Sequence, residues 1–298
     1  MKIGIFGFGA VGSALYSELN EYKDLYILVD ENRLNKYKSN PIIINDKEYN
    51  PNYVTKGIMD IIIVCVKNYN LESSLKDIGR FVDNNTIILP LLNGIRSHDI
   101  LSNYFKNNTI LYGVINIEAN KVNNKCITSK IINLQYGYEY NYEYKYPLNE
   151  LKEIFDRYNV NNNIYENLKR RIWMKWALNI GINQISALLN YTYKDMSNPL
   201  IIELLDNIFD EVFLVSKEYN IGLLDSDIKE LKESIRNFNS NRVTSLTIDF
   251  YNNDLNELDE FGYTLLKLAK EKNISVPVNE TLYRLTKSLD MKRKRQAK

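Results

Sequence analysis

The chain has 298 residues, with 38 basic and 37 acidic side chains for a net charge of +1, and it is 45% hydrophobic and 12% aromatic. That length buries a large core and suggests two domains, and the composition is that of a folded globular protein. Balanced charge offers no global field to nucleic acid or a membrane surface, and 2 cysteines with 1 histidine, none at metal-ligand spacing, exclude a zinc site.

Residues 1–6 are too short and too soon interrupted by glycine to act as a signal peptide, and no apolar run reaches the ~20 residues of a membrane span. A soluble, cytoplasmic protein is expected. Neither a nucleic-acid nor a membrane partner is expected, and the basic C-terminal run from Met291 reads as a frayed, solvated tail. The excess of Asn, Ile, Lys and Tyr reads as codon bias.

In chain order, Ile3–Phe6 is a β run, Val11–Tyr22 has helical spacing, and Leu25–Val29 is a second β run ending in Asp30. Ile61–Val66 and Thr86–Leu92 are continuous apolar runs of the kind buried in parallel sheets, with a helix over about 70–82 between them. The pattern is βαβ. Ile110–Glu118, Lys121–Ser129 and Ile131–Tyr138 then read as antiparallel additions to that sheet. Residues 148–157 return to helix. Beyond about Tyr165 the spacing is helical over 167–190, 199–219, 225–249, 254–272 and 279–290. The domains are therefore placed at 1–165 and 166–298, an α/β domain followed by an all-α one.

The turn after the first strand reads Gly7-Phe8-Gly9-Ala10-Val11-Gly12, or G-x-G-x-x-G, between a β run and a helix. In that context it is a dinucleotide fingerprint. Gly7 makes the tight turn, Gly9 admits a pyrophosphate, and Gly12 lets helix and strand pack closely. Phosphates would meet the N–H groups that open the helix. Asp30 ends the second strand, where a carboxylate accepts from ribose hydroxyls and points to NAD, or simply caps a helix. Arg33 and Lys36 follow closely and point to a 2′-phosphate, hence NADP. Lys67 and Asn93 close later strands, where ligands of open α/β sheets lie; Asn93-Gly94 also reads as a plain turn.

Residues 173–183, Trp-Met-Lys-Trp-Ala-Leu-Asn-Ile-Gly-Ile-Asn, place Lys175, Asn179 and Asn183 four apart. On a helix such positions drift by only ~40° per step, so a cation and two carboxamides form one ladder. The ladder is either a small-molecule binding face or the solvent stripe of an amphipathic helix.

Together these segments resemble the ketopantoate reductase (2-dehydropantoate 2-reductase) family. The carriers are Gly7-x-Gly9-x-x-Gly12, Val66-Lys67, Leu92-Asn93-Gly94, Trp173-x-Lys175-x3-Asn179-x3-Asn183, Ser245…Asp249…Glu257 and Ile274-Ser-Val-Pro277. The resemblance implies an N-terminal Rossmann-type dinucleotide-binding domain and an all-α C-terminal domain. It implies NADPH-dependent reduction of a 2-keto acid, foremost ketopantoate in pantothenate and coenzyme A biosynthesis. NADPH is the implied cofactor, and Asp30 admits NADH. Lys175 would donate the proton, Asn179, Asn183 and Ser245 would hold the substrate's hydroxyl and carboxylate ends, and Glu257 would orient Lys175 or the substrate. Asp254-x-x-Glu257 also reads as a helix capping box. Ser245 and Glu257 reach one substrate only if the Asn252-Asn253 region breaks the helix. Asn93 would contact cofactor or substrate, Lys67 the nicotinamide or substrate, and Arg33 and residues 7–12 the cofactor. A small 2-keto acid is the expected partner; a homodimer is compatible with the chain.

The chain departs from the family pattern at Gln184 (usually Pro), Tyr193 (usually Asn), Asn70 (usually Gln) and Asp30 (usually basic or neutral). These positions bear on which 2-keto acid and which dinucleotide are used. A related 2-oxo acid reductase or a non-catalytic dinucleotide sensor are the competing functions.

Overall fold

A computed structural model describes residues 1–131, 133–138 and 146–296. Inter-residue contacts divide the chain into two compact units, Met1–Lys169 and Arg170–Lys298.

In the first unit, alternate side chains of short apolar strands are buried on both faces of a parallel sheet, as their unbroken Ile/Val/Leu runs require. The elements in order are β1 (Ile3–Phe6), α1 (Ala10–Leu19), β2 (Leu25–Leu28), α2 (Glu31–Ser39), β3 (Ile42–Ile44), β4 (Lys47–Tyr49), β5 (Tyr53–Val54), β6 (Ile61–Val64), α3 (Asn68–Ile78), β7 (Ile87–Pro90) and α4 (Ser97–Tyr104). The parallel sheet has the order β5-β2-β1-β6-β7. Ile5 pairs in register with Ile27 on one side and Ile63 on the other. Ile3, Ile5, Ile61, Ile63 and Leu89 face one apolar core, and Phe6, Leu28, Ile62, Val64 and Ile88 face another. Strand order reverses direction between β1 and β6, so a crevice opens at their carboxyl ends, where open α/β sheets bind ligands.

After α4 come β8 (Tyr112–Asn116), β9 (Ala119–Val122), β10 (Lys125–Thr128), β11 (Asn133–Gly137), α5 (Tyr146–Arg157) and β12 (Asn162–Ile164). Two expectations are corrected here. Lys121–Ser129 is not one strand but a hairpin, in which Val122 pairs with Lys125 and Cys126 with Lys121. Asn123 turns the chain at φ 55°, a conformation Asn tolerates better than other side chains. Nor do these strands add antiparallel neighbours to the parallel sheet: at the start of the first run Ile110 bridges Ile88 of β7 in parallel, but the strands themselves form separate sheets, β4-β3-β10-β9 and β12-β11-β8. Apolar alternation marks a strand but does not name its neighbour. Ile132, within the expected 131–138 run, lies outside the described residues.

Among its described residues the second unit has helices and no strand, with α6 (Leu168–Leu189) beginning at the boundary, then α7 (Pro199–Glu218), α8 (Asp225–Arg236), α9 (Ser245–Tyr251), α10 (Thr264–Glu271) and α11 (Pro277–Gln296). The helix expected over 225–249 is two helices. The Asn- and Ser-rich segment after Arg236 interrupts it, and Thr244 caps α9 by accepting from Thr247 N. The C-terminal basic run is not frayed through its described part: α11 continues to Gln296, and the Arg293 guanidinium donates to the carbonyls of Phe250 and Tyr251 at the end of α9. Ala297 and Lys298 lie outside the described residues.

Asparagine has a structural use that its abundance alone did not reveal. Asn159, Asn190, Asn220, Asn253 and Asn273 take positive φ just past the ends of α5, α6, α7, α9 and α10, the position glycine commonly fills.

Glu211 of α7 is buried and accepts from Val278 N (2.9 Å), Asn279 N (2.9 Å) and Asn279 Nδ2 (2.7 Å), anchoring the start of α11. Its charge meets the positive end of that helix. Glu211→Ala leaves three donors without it, both those of Asn279 buried, and should destabilise the protein by roughly 2–4 kcal/mol. A urea midpoint equal to wild type would contradict this. Among the described residues no helix is long and apolar enough to cross a membrane.

Candidate active site

The glycine turn joins β1 to α1. Gly7 has φ +101°, and a Cβ there would lie 2.7 Å from the backbone of Cys65 and Val66. A Cβ on Gly12 would come within 2.1 Å of Gly7 O. Gly9 is the reverse: the space its Cβ would take holds no atom within 4 Å. It stands at the N-cap of α1 and brings no side chain to the first-turn N–H groups. A turn closed behind and open in front, at a helix N-terminus, fits a dinucleotide's phosphates. Ala10 and Val11 are half-buried on this turn, and the Phe8 ring is buried among Tyr16, Tyr37 and Tyr53. Gly12→Ala should cost about 1–3 kcal/mol or more, because backbone cannot yield as a side chain does. An unchanged thermal midpoint would contradict that geometry.

At the end of β2, Asp30 caps α2 by accepting from Arg33 N at 2.7 Å, and its carboxylate lies 3.5 Å from Arg33 Nε. The capping reading of Asp30 is thus realised, and the acidic and basic groups that argue for different dinucleotides form one ion pair. Lys67 stands at the N-cap of α3, after β6. Asn93 follows β7, and its carbonyl accepts from Asn68 Nδ2 at 2.7 Å, so the loops after β6 and β7 are tied together. Gly94 takes φ 83°, the turn expected after Asn93. The first unit therefore gathers residues 7–12, Asp30, Arg33, Lys67 and Asn93 at the carboxyl ends of β1, β2, β6 and β7.

In the second unit, α6 runs unbroken through Lys175, Asn179 and Asn183, so their spacing does make one ladder. It is not a solvent stripe. Lys175 and Asn179 are half-buried and Asn183 is 4% exposed. Trp173 and Trp176 beside Lys175 are buried. Burial pulls the Lys175 ammonium down to about 8, and the charge of Glu257 pulls the other way. Glu257 is itself buried.

The capping-box reading of Asp254 and Glu257 is corrected. Asp254 to Glu257 are not helical; the helix begins only at Leu258, so Asp254 is too early to cap it. The Glu257 carbonyl accepts from Glu260 N and Phe261 N, and the charge of its carboxylate acts on Lys175. The first turn is π-helical over Asp259–Tyr263, a distortion frequent at functional sites. Trp176 Nε1 donates to Glu260 O at 3.1 Å, pinning this turn to α6 one residue from Lys175.

Ser245 is exposed at the first position of α9, and the helix ends at Tyr251 with Asn253 left-handed, the break needed before Glu257. The buried hydroxyls of Ser186 and Thr247 meet at 2.7 Å, tying α9 to α6 just past Asn183. Tyr193, where the family pattern has Asn, packs edge-on against Phe238 with ring centres 5.4 Å apart. Burial beside Trp173 and Trp176 was expected to lower Lys175, but sequence reasoning missed the Trp176–Glu260 bond and this hydroxyl link. It also missed Lys121 of β9, whose ammonium donates to the Phe8 carbonyl of the glycine turn.

Models of the ketopantoate reductase PanE/ApbA family match residues 3–135, and of its C-terminal domain residues 167–290. A 2-dehydropantoate 2-reductase from Aquifex aeolicus is 24% identical over 98% of this chain and 97% of its own length. The solved structure of D-mandelate dehydrogenase with NADH and anilino(oxo)acetate has the same fold, with a TM-score of 0.87 at 20% identity over 98% of this chain and 99% of that one. A dimeric ketopantoate reductase from Staphylococcus aureus also shares it, with a TM-score of 0.82 at 17% identity over 98% and 99%. The chain belongs to the ketopantoate reductase family of NAD(P)H-dependent 2-keto acid reductases.

Proposed function

We propose that the protein reduces 2-dehydropantoate to pantoate with NADPH, the step that feeds pantothenate and coenzyme A synthesis. The observation that carries this reading is the half-buried Lys175, faced by the buried Glu257, on the same helix face as Asn179 and Asn183. Bound nicotinamide supplies a hydride to the substrate's C2. Lys175 hydrogen-bonds the 2-oxo oxygen and gives it a proton as the alkoxide develops, supplying acid catalysis and charge stabilisation together. Glu257 keeps Lys175 protonated between turnovers. Asn179 and Asn183, ~6 and ~12 Å along the helix from Lys175, hold the hydroxyl and carboxylate ends, with Ser245 on the carboxylate. Asn93 and Lys67 orient the nicotinamide end, and residues 7–12 seat the phosphates.

Arg33 favours NADPH by pairing with a 2′-phosphate when it leaves Asp30; Asp30 accepts the ribose hydroxyls of NADH. A cytoplasmic homodimer is part of the reading, supported by the dimeric Staphylococcus aureus relative. Tyr193 motivates a second reading, reduction of another 2-oxo acid, and the D-mandelate dehydrogenase fold match keeps the keto acid of mandelate in view. The test is kcat/KM with 2-dehydropantoate, phenylglyoxylate and pyruvate, each with NADPH and NADH. The highest value with 2-dehydropantoate and NADPH supports the proposal, and preference for another keto acid selects the second reading. Dinucleotide binding with no oxidation across the panel selects a sensor.

A further inference from the structure

Lys121 stands on β9 directly opposite Cys126 on β10, and both side chains face the start of α1. The Lys121 ammonium donates to Phe8 O and, at 3.3 Å, to Ser13 Oγ, and lies 4.8 Å from the centre of the Phe8 ring. Cys126 Sγ lies 4.0 Å from Ala10 O. The hairpin thus braces the glycine turn from behind with a charged group. A lysine half-buried at the positive end of a helix is electrostatically costly, so its place there calls for an explanation.

The Phe8–Gly9 peptide, like every described peptide bond, is trans. In a planar trans peptide the carbonyl and the N–H point in opposite directions. Holding Phe8 O toward Lys121 therefore turns Gly9 N–H away from the hairpin. A charge-assisted hydrogen bond is about twice as strong as a neutral one, so this orientation is held best while Lys121 is an ammonium.

We propose that Lys121 is a positioning residue for the nicotinamide dinucleotide, holding the glycine turn in its phosphate-binding conformation and lending the bound phosphates a positive charge. The inference rests on the dinucleotide reading of this turn. It has a consequence in proton linkage. Burial holds free Lys121 at about 8, with Lys36 of α2 pulling it down further and Cys126 pulling it up. The other titratable group facing it, Tyr37 of α2, is 5.8 Å away at the ring centre, and burial raises both Tyr37 and Cys126. Bound phosphates favour the ammonium, so Lys121 titrates higher in the complex than in the free protein. Dinucleotide affinity is then full below about 8 and declines as pH rises from there through the bound value.

The experiment is calorimetric titration with NADH, whose pyrophosphate does not titrate in this range, from pH 7 to 9.5 in two buffers of different ionisation enthalpy. Wild type should take up protons on binding, and its Kd should rise about five-fold across the range. Lys121→Met should bind more weakly, with no proton uptake and a flat Kd. Lys175, the other lysine held near 8, is separated by repeating the titration on Lys175→Met, where uptake should persist. Tight wild-type binding without proton uptake overturns the proposal alone, as does uptake that survives in Lys121→Met or vanishes in Lys175→Met. Failure of wild type to bind either NADH or NADPH overturns the dinucleotide reading, and the proposal with it.

Discussion

Lys175→Ala should reduce kcat on a 2-keto acid by about 10²–10⁴-fold, the range expected for loss of a positioned general acid, while Kd for NADPH changes by less than about two-fold. The separation follows from the proposed roles: Lys175 meets the keto acid, whereas the glycine turn, Arg33 and Lys67 hold the dinucleotide. Lys175→Arg sharpens the test. A guanidinium keeps the positive charge but does not release its proton near neutral pH, so it restores charge stabilisation without acid catalysis. Turnover of Lys175→Arg should remain well below wild type. Wild-type kcat in either variant would remove Lys175 from the chemistry.

The second large effect is on pH dependence. With no substrate bound, Lys175 is held down at about 8 by burial, and only the ammonium can donate, so kcat/KM should fall as pH rises through about 8. Glu257 opposes the burial that lowers Lys175. Glu257→Gln removes that opposition while keeping the side chain's shape, and the alkaline limb should move down by roughly a unit or more. At pH 7 the variant then has less of its lysine protonated and is slower; at pH 6 it recovers part of the loss. A merely structural Glu257 would lower activity at all pH values without moving the limb. An upward shift would reverse the assigned sign.

What could be read from the sequence was what depends on close neighbours along the chain. Gly7, Gly9 and Gly12 state their constraints within six residues, and Lys175, Asn179 and Asn183 align wherever a helix is continuous. The helical break before Glu257 was signalled by Asn252-Asn253. What could not be read depends on pairing across the chain. The Asn123 turn divides what looked like one strand, and only the resulting register sets Lys121 opposite Cys126 and under the glycine turn. Similarly, Asp254 and Glu257 have the spacing of a capping box. The helix nevertheless starts only at Leu258, and Trp176, 84 positions away in sequence, holds the Glu260 carbonyl of its first turn. The short strands β3 and β4 carry no periodic run of their own; they persist because β10 supplies β3 with a neighbour.

In the proposed reaction Lys175 delivers a proton to a 2-keto acid during its reduction by nicotinamide. The most direct test incubates wild type with NADPH and 2-dehydropantoate and quantifies NADPH consumed and pantoate formed, with Lys175→Ala alongside. Wild type should form one pantoate per NADPH consumed, and the variant nearly none over the same interval. Equal pantoate formation by both proteins, or NADPH bound by wild type yet never oxidised by this or any other 2-keto acid, would contradict it.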